Sequence, residues 1–187
     1  FRQAPELAGR TLWLTSSARM ATALVVHLGR VASQLGVTVP PAPFHAAGIH
    51  GVSHPESPEL AAAAKAYLQN CGGFLSAREA EDRLLALGLI PALHPEEIFA
   101  GDAAAEVHRH LRRALPGAGA DDLILASCGM NAIWAAFQAV AGIQAARGRT
   151  VWLQLGWLYL DTIAILQKFT ATPADYVYVR DVADLDA

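Results

Sequence analysis

The chain has few cysteines, few lysines and little net charge. It contains two cysteines, and two lysines against twelve arginines. Two cysteines do not make the disulfide framework of a small secreted domain, so we expect reduced thiols in a cytoplasmic protein. A net charge of −3 gives no basic surface for nucleic acid. The longest uncharged run, residues 123–146, contains serine, asparagine and glutamine, and a strand, a turn and a helix explain it better than a membrane span. We therefore expect no nucleic-acid or membrane partner.

The sequence also lacks the local motifs of several enzyme classes. It has no G-x-S-x-G nucleophile elbow, no phosphate-binding P-loop and no G-x-G-x-x-G dinucleotide fingerprint. Seven histidines raise the alternative of a metal protein. However, His45, His50 and His54 follow no regular ligand spacing, and His108 and His110 point to different sides of a helix. We therefore predict no metal site.

Apolar periodicity and the positions of glycine and proline divide the chain into two parts. With 187 residues, 53% of them apolar, the chain can bury one good-sized core. Residues 1–120 predict a mainly helical segment, with a short apolar run at 12–14, helices over 16–35, 58–70 and 77–87, and a Pro/His-rich loop over 37–58. A further helical region is predicted over 95–115, with a break at Gly101. Residues 121–187 predict the start of an α/β domain, with parallel strands over 122–127, 150–155 and 175–179 and helices over 130–146 and 159–169.

The turn over residues 127–131 is a candidate anion site at the carboxyl edge of that sheet. A helix N-terminus exposes unpaired N–H groups and the positive end of the helix dipole. Gly129 allows a ligand to approach the backbone closely, and Ser127 and Asn131 add polar side chains. Phosphate is the natural ligand for such a turn. On geometry alone the signal is weak, because most strand-to-helix turns bind nothing.

Two motifs in this region resemble the pyridoxal-phosphate (PLP) enzymes of Cys/Met metabolism, in particular the fungal-type cystathionine γ-synthases. The run S-C-G-M-N-A-I at 127–133 is similar to the family's S-G-M-A-A-I. The run G-W-L-Y-L-D-T-I-A-I-L-Q-K-F at 156–169 is similar to its G-F-P-Y-x-D-T-x-x-I-L-x-K-F/W. The spacing between the motifs also fits, and the match covers roughly residues 121–187. The resemblance implies a partial three-layer α/β/α domain of PLP fold type I, with a mainly parallel sheet.

The resemblance also implies roles for individual residues. The backbone amides of Gly129 and Met130 would hold the cofactor phosphate, beside Cys128, which replaces the family's serine. Tyr159 would stack on the pyridine ring and assist proton transfer; otherwise it is a half-buried aromatic at the sheet edge. Arg78 loosely resembles the arginine that dimeric members direct at a neighbour's phosphate. The alternative for Arg78 is a solvated helix residue among carboxylates.

The activity implied by the resemblance is γ-replacement, which joins an activated homoserine ester to cysteine within a dimer or tetramer. The alternatives are a C–S β- or γ-lyase or a sulfhydrylase of the same family, and a non-catalytic βαβ binding or dimerisation module. The family's cofactor-binding lysine ends a Ser-x-Thr-Lys run, which this sequence lacks, and neither Lys65 nor Lys168 fits that role. We therefore expect an N-terminal fragment that is inactive by itself.

Overall fold

The computed structural model describes residues 5–119, 121–181 and 183. The elements in these ranges are β1 Thr11–Thr15, α1 Ala18–Gln34, β2 Ala42–Ala46, β3 Ile49–His54, α2 Pro58–Cys71, α3 Ala77–Ala86, α4 Ala103–Ala114, α5 Gly129–Ala145, β4 Trp152–Leu155, α6 Leu160–Phe169 and β5 Tyr176–Val179. This architecture confirms the predicted α/β class and is compatible with a partial α/β domain. Among the helices described, none is both long and apolar enough to cross a membrane.

The first sheet is antiparallel, with strand order β1-β3-β2. β2 and β3 form a hairpin inside residues 37–58, so the interpretation of that segment as a loop was wrong. The hairpin is hard to recognise in sequence because proline and histidine interrupt its apolar residues. Pro43 is tolerated because β2 is an edge strand, where a missing N–H group costs no ladder bond. Val52 of β3 is fully buried, and burial of this strand against α1 holds the hairpin.

α1 and α2 build the larger hydrophobic core on this sheet. Leu24 and Leu28 of α1 are fully buried, as are Leu60 and Leu68 of α2. Each helix begins at a serine whose side chain accepts a hydrogen bond from a backbone N–H, Ser17 for α1 and Ser57 for α2. The predicted helices over 16–35 and 58–70 are confirmed. α3 and α4 bury no residue, so the core of this half depends on α1 and α2.

The second sheet is the parallel pair β4 and β5, in which Trp152 pairs with Tyr176 and Leu155 with Val179. α5 and α6 cover it through a smaller buried cluster of Phe137, Ile165 and Leu166. The predicted parallel strands at 150–155 and 175–179, and the helices before and after β4, are confirmed.

Two of the predicted elements differ in the structure. Residues 122–127 form no strand, and Ile124 is 89% exposed. An apolar run becomes a strand only where a neighbour supplies ladder hydrogen bonds, and no described segment pairs with this one. Of the helical region predicted over 95–115, only the part after the predicted break at Gly101 is a helix; it begins at Ala103, where the Asp102 carboxylate accepts a hydrogen bond from Ala105 N at 2.9 Å. A side-chain cap at Asp102 sets this start, and residues 95–101 remain irregular.

The last turn of α2 connects the two halves. The Asn131 side-chain amide at the start of α5 donates to Cys71 O at 3.1 Å. At the end of α6, Lys168 Nζ donates to the buried Asn70 Oδ1 at 3.2 Å. Trp134 and Phe169 pack against both hydrophobic clusters. The start of α5 is therefore held in place by α2.

Gly72 allows this close approach, and its replacement is a test of the junction. Gly72 has φ 65°, and a Cβ there would lie 2.5 Å from Cys128 Sγ and 2.9 Å from Asn131 N. Gly36 has φ 68°, but a Cβ there would meet nothing within 4 Å. We expect Gly72→Ala to lower the free energy of unfolding by about 1–3 kcal/mol more than Gly36→Ala, because only Gly72→Ala overpacks a contact. Equal losses in urea unfolding would show that the contact does not constrain α5.

Candidate functional site

α6 begins at the carboxyl edge of the β4–β5 sheet. The chain leaves β4 at Leu155 and enters α6 at Leu160, so α6 starts at that edge. Met130, in the first turn of α5, packs against the same buried cluster as Leu158, which precedes α6. Ligands of parallel α/β sheets bind beyond this edge.

The first turn of α5 has free backbone donors. Cys128 precedes the helix in an extended conformation, and its side chain makes no capping hydrogen bond. Gly129 is the first helical residue, and a Cβ there would meet nothing within 4 Å beyond its chain neighbours. Uncapped N–H groups beside open space, at the positive end of a 17-residue helix, suit an oxyanion. The residues present therefore fit a phosphate group.

Cys128 is exposed, but its side chain contacts α2 at this turn. Its sulfur lies against Gly72, at the end of α2. Together with the bond from Asn131 to Cys71 O, this contact fixes the turn on α2. Cys128 was predicted beside the phosphate on resemblance alone; the contacts give its side chain a positioning role, and its direct role toward a ligand stays a prediction.

A buried glutamine organises the second turn. Gln154 of β4 is 2% exposed, and its Nε2 donates to Gly156 O at 2.8 Å. The Tyr176 hydroxyl donates to Gln154 Oε1 at 2.5 Å. Gly156 has φ 63° and donates its N–H to Val179 O at 2.9 Å, so the chain turns sharply there. Sequence reasoning missed Gln154, although one polar residue in an apolar strand is a usable signal.

Tyr159 stands at the N-terminus of α6 with an exposed side chain. It is the residue that precedes the helix, and it is 65% exposed. A hydrogen bond to the Asp161 carboxylate, aided by the charge of that group, raises the pKa of the Tyr159 phenol. Met130 and Leu158, which adjoin Gly129 and Tyr159, pack against the same buried cluster. The structure thus brings the two predicted motifs to one part of the molecule.

The Arg78 side chain is paired with residues of its own segment of the chain. Its guanidinium lies 3.2 Å from the Glu96 carboxylate and 4.0 Å from that of Asp82, and it donates to His94 O at 3.3 Å. These partners belong to α3 and the segment that follows it. The predicted role of Arg78 toward the phosphate of a second subunit stays a prediction.

The histidines and lysines have ordinary structural surroundings. The His45 and His50 rings stack at 4.4 Å across the hairpin, and buried His54 accepts a hydrogen bond from Trp13 Nε1. Within residues 5–119, 121–181 and 183, no three His, Cys, Asp or Glu side chains come together as metal ligands would. Lys65 is exposed on α2, and Lys168 is bonded to Asn70.

Comparison with known proteins relates this chain to an enzyme. No protein-family model matches it, and no solved structure matches it. It is 38% identical over 176 residues to the L-2-amino-4-chloropent-4-enoate dechlorinase/desaturase of Streptantibioticus cattleyicolor. The alignment covers 94% of this chain but 33% of that enzyme, so the chain spans about a third of the length of this relative. The chain is therefore similar to one portion of a larger enzyme.

Proposed function

We propose that this chain is part of a PLP-dependent enzyme that eliminates a leaving group from the side chain of an α-amino acid. The observation that carries the proposal is the uncapped first turn of α5, with open space at Gly129, near the turn that bears Tyr159. The similar enzyme is named for removing chlorine from, and desaturating, a 4-chlorinated 2-amino acid. That name supports elimination at the β- or γ-carbon over other chemistry at the same turn.

The residues of this chain would bind the cofactor and orient it. The N–H groups of Gly129 and Met130 would donate to the phosphate, with the dipole of α5 adding to the attraction. The exposed ring of Tyr159 would lie over the pyridine face, and its hydroxyl would hold or move a proton. Bound PLP would supply an electron sink for the substrate carbanion. Gln154 would keep the Tyr159 turn in position through Gly156.

γ-Replacement, as in the cystathionine γ-synthases, is the second candidate. The run at 156–169, with its tyrosine, Asp-Thr pair and Ile-Leu-x-Lys-Phe end, favours it. Both reactions use the same cofactor and differ in whether a thiol captures the product of elimination. The proposal requires three parts from outside these 187 residues. They are the lysine that binds the cofactor, the acidic partner of the cofactor's ring nitrogen, and a second subunit.

Substrate consumption with and without cysteine distinguishes the two reactions. The protein that contains this chain is incubated with PLP and either L-2-amino-4-chloropent-4-enoate, cystathionine or an O-acylhomoserine. Elimination predicts release of chloride, thiol or carboxylic acid without added cysteine, whereas γ-replacement predicts consumption that depends on cysteine and yields a thioether. The 187-residue chain alone is expected to show no turnover, since neither of its lysines fits the cofactor role. Absence of turnover and of PLP binding in the longer protein would overturn the proposal.

A further inference from the structure

Four helices border an open cleft where the two hydrophobic clusters meet. Its volume is about 350 Å³. It is lined by residues of α1, α2, α5 and α6: Ala23, Val26, His27, Arg30, Tyr67, Trp134, Gln138 and Phe169. None of these residues belongs to the turns that carry the proposed function. No feature of the local sequence points to the cleft, because its walls come from four separate elements.

Aromatic rings form one wall of the cleft. The rings of His27 and Tyr67 stack with centroids 4.6 Å apart, and Trp134 meets Phe169 edge-on at 4.8 Å. Tyr67 also meets Trp134 edge-on at 5.6 Å. Such a wall offers flat apolar contact to a planar ligand.

Polar groups at the cleft have unused hydrogen-bonding capacity. Tyr67 is 9% exposed, yet its hydroxyl has no hydrogen-bond partner in the part of the chain that the structure describes. The hydroxyl oxygen itself reaches the surface of the cleft, where it can donate to a ligand. Arg30 and Gln138 are exposed at the mouth of the cleft, and neither side chain makes a salt bridge or side-chain hydrogen bond with a described residue.

The charge of the cleft favours an anion. Of the residues that the structure describes, no aspartate or glutamate lines it, and Arg30 contributes a permanent positive charge. Burial, together with the charge of Arg30, lowers the pKa of His27, so this ring is neutral at pH 7. Burial raises the pKa of Tyr67 to about 12, so its hydroxyl keeps the proton that it can donate. The free groups are therefore mostly donors, which an oxyanion would satisfy.

We propose that this cleft binds a small aromatic carboxylate, with its ring against Tyr67 and Trp134 and its carboxylate at the Arg30 guanidinium and the Tyr67 hydroxyl. The site is separate from the turns at Gly129 and Tyr159, and the proposal does not depend on PLP binding.

Calorimetric titration of the protein that contains this chain tests the site with three matched probes. Sodium benzoate has both the ring and the charge, benzamide lacks the charge, and cyclohexanecarboxylate lacks the aromatic ring. We expect benzoate to bind saturably with a Kd of about 1 mM or lower, and each of the other probes to bind at least ~10-fold more weakly. Absence of saturable benzoate binding, or equal binding of benzamide, would overturn the proposal.

Paired variants locate the binding. Arg30→Gln and Tyr67→Phe should each weaken benzoate binding, Arg30→Gln by ~10-fold or more. Arg19→Gln is the control, because Arg19 is an exposed arginine of the same helix that does not line the cleft. Equal benzoate affinity in Arg30→Gln and Arg19→Gln would place the ligand elsewhere. Gly129→Val should leave benzoate binding unchanged. The benzoate proposal and the PLP proposal can therefore fail independently, and the two failures are distinguishable.

Discussion

Replacement of Tyr159 by phenylalanine is expected to lower kcat of the protein that contains this chain by about 10²–10⁴-fold, with nearly unchanged PLP affinity. The substitution keeps the stacking ring and removes only the hydroxyl. The hydrogen bond to the Asp161 carboxylate raises the pKa of the Tyr159 phenol, so the hydroxyl stays protonated at neutral pH. A loss in kcat without a loss in PLP binding would therefore indicate that the Tyr159 hydroxyl holds or moves a proton in the reaction.

Tyr178→Phe is the matched control for this measurement. Tyr178 is another exposed tyrosine, 45% accessible, on β5. It should tolerate the same change with kcat and PLP affinity unaffected. If Tyr159→Phe retains wild-type kcat, Tyr159 acts only by stacking, and its proposed proton role is wrong.

Replacement of Gly129 by valine is expected to weaken PLP binding by at least ~100-fold, because a β-branched side chain would occupy the approach to the phosphate-binding amides. Without a ligand the side chain has room, since a Cβ at Gly129 meets nothing within 4 Å beyond its chain neighbours. The cofactor-free variant should therefore unfold at nearly the wild-type urea concentration. Loss of PLP binding with retained stability would show that the valine side chain blocks the cofactor and does not unfold the protein.

Gly142→Val controls for the cost of valine in the same helix. A Cβ at Gly142 also meets nothing within 4 Å, and this residue lies in the interior of α5, far along the helix from its first turn. It should retain PLP affinity. Equal PLP affinities in Gly129→Val and Gly142→Val would mean that the start of α5 does not bind the phosphate.

Elements set by local signals were predictable from the sequence. Ser17 and Ser76 cap α1 and α3, and a serine before a helix is a signal that can be read from the sequence, because its side chain satisfies a nearby N–H. β4 and β5 were recognisable as short apolar strands that alternate with helices. The hairpin within 37–58 and the unpaired state of 122–127 were not predicted. Both depend on which distant segment supplies hydrogen bonds, and local pattern does not carry that information.

In the candidate site, too, local features could be predicted from the sequence and long-range contacts could not. A glycine at a strand-to-helix turn is a local feature, so Gly129 could be singled out in advance. The bond between Gln154 and Tyr176 joins residues 22 positions apart, and the contact between Cys128 and Gly72 joins two helices. Side-chain contacts of this kind follow from packing.

A crystal structure of the longer protein with bound PLP tests the central claim most directly. We predict phosphate oxygens within about 2.7–3.2 Å of the backbone nitrogens of Gly129 and Met130, with the Tyr159 ring over the pyridine face. A phosphate held by other residues, with the start of α5 free of the cofactor, would contradict the account.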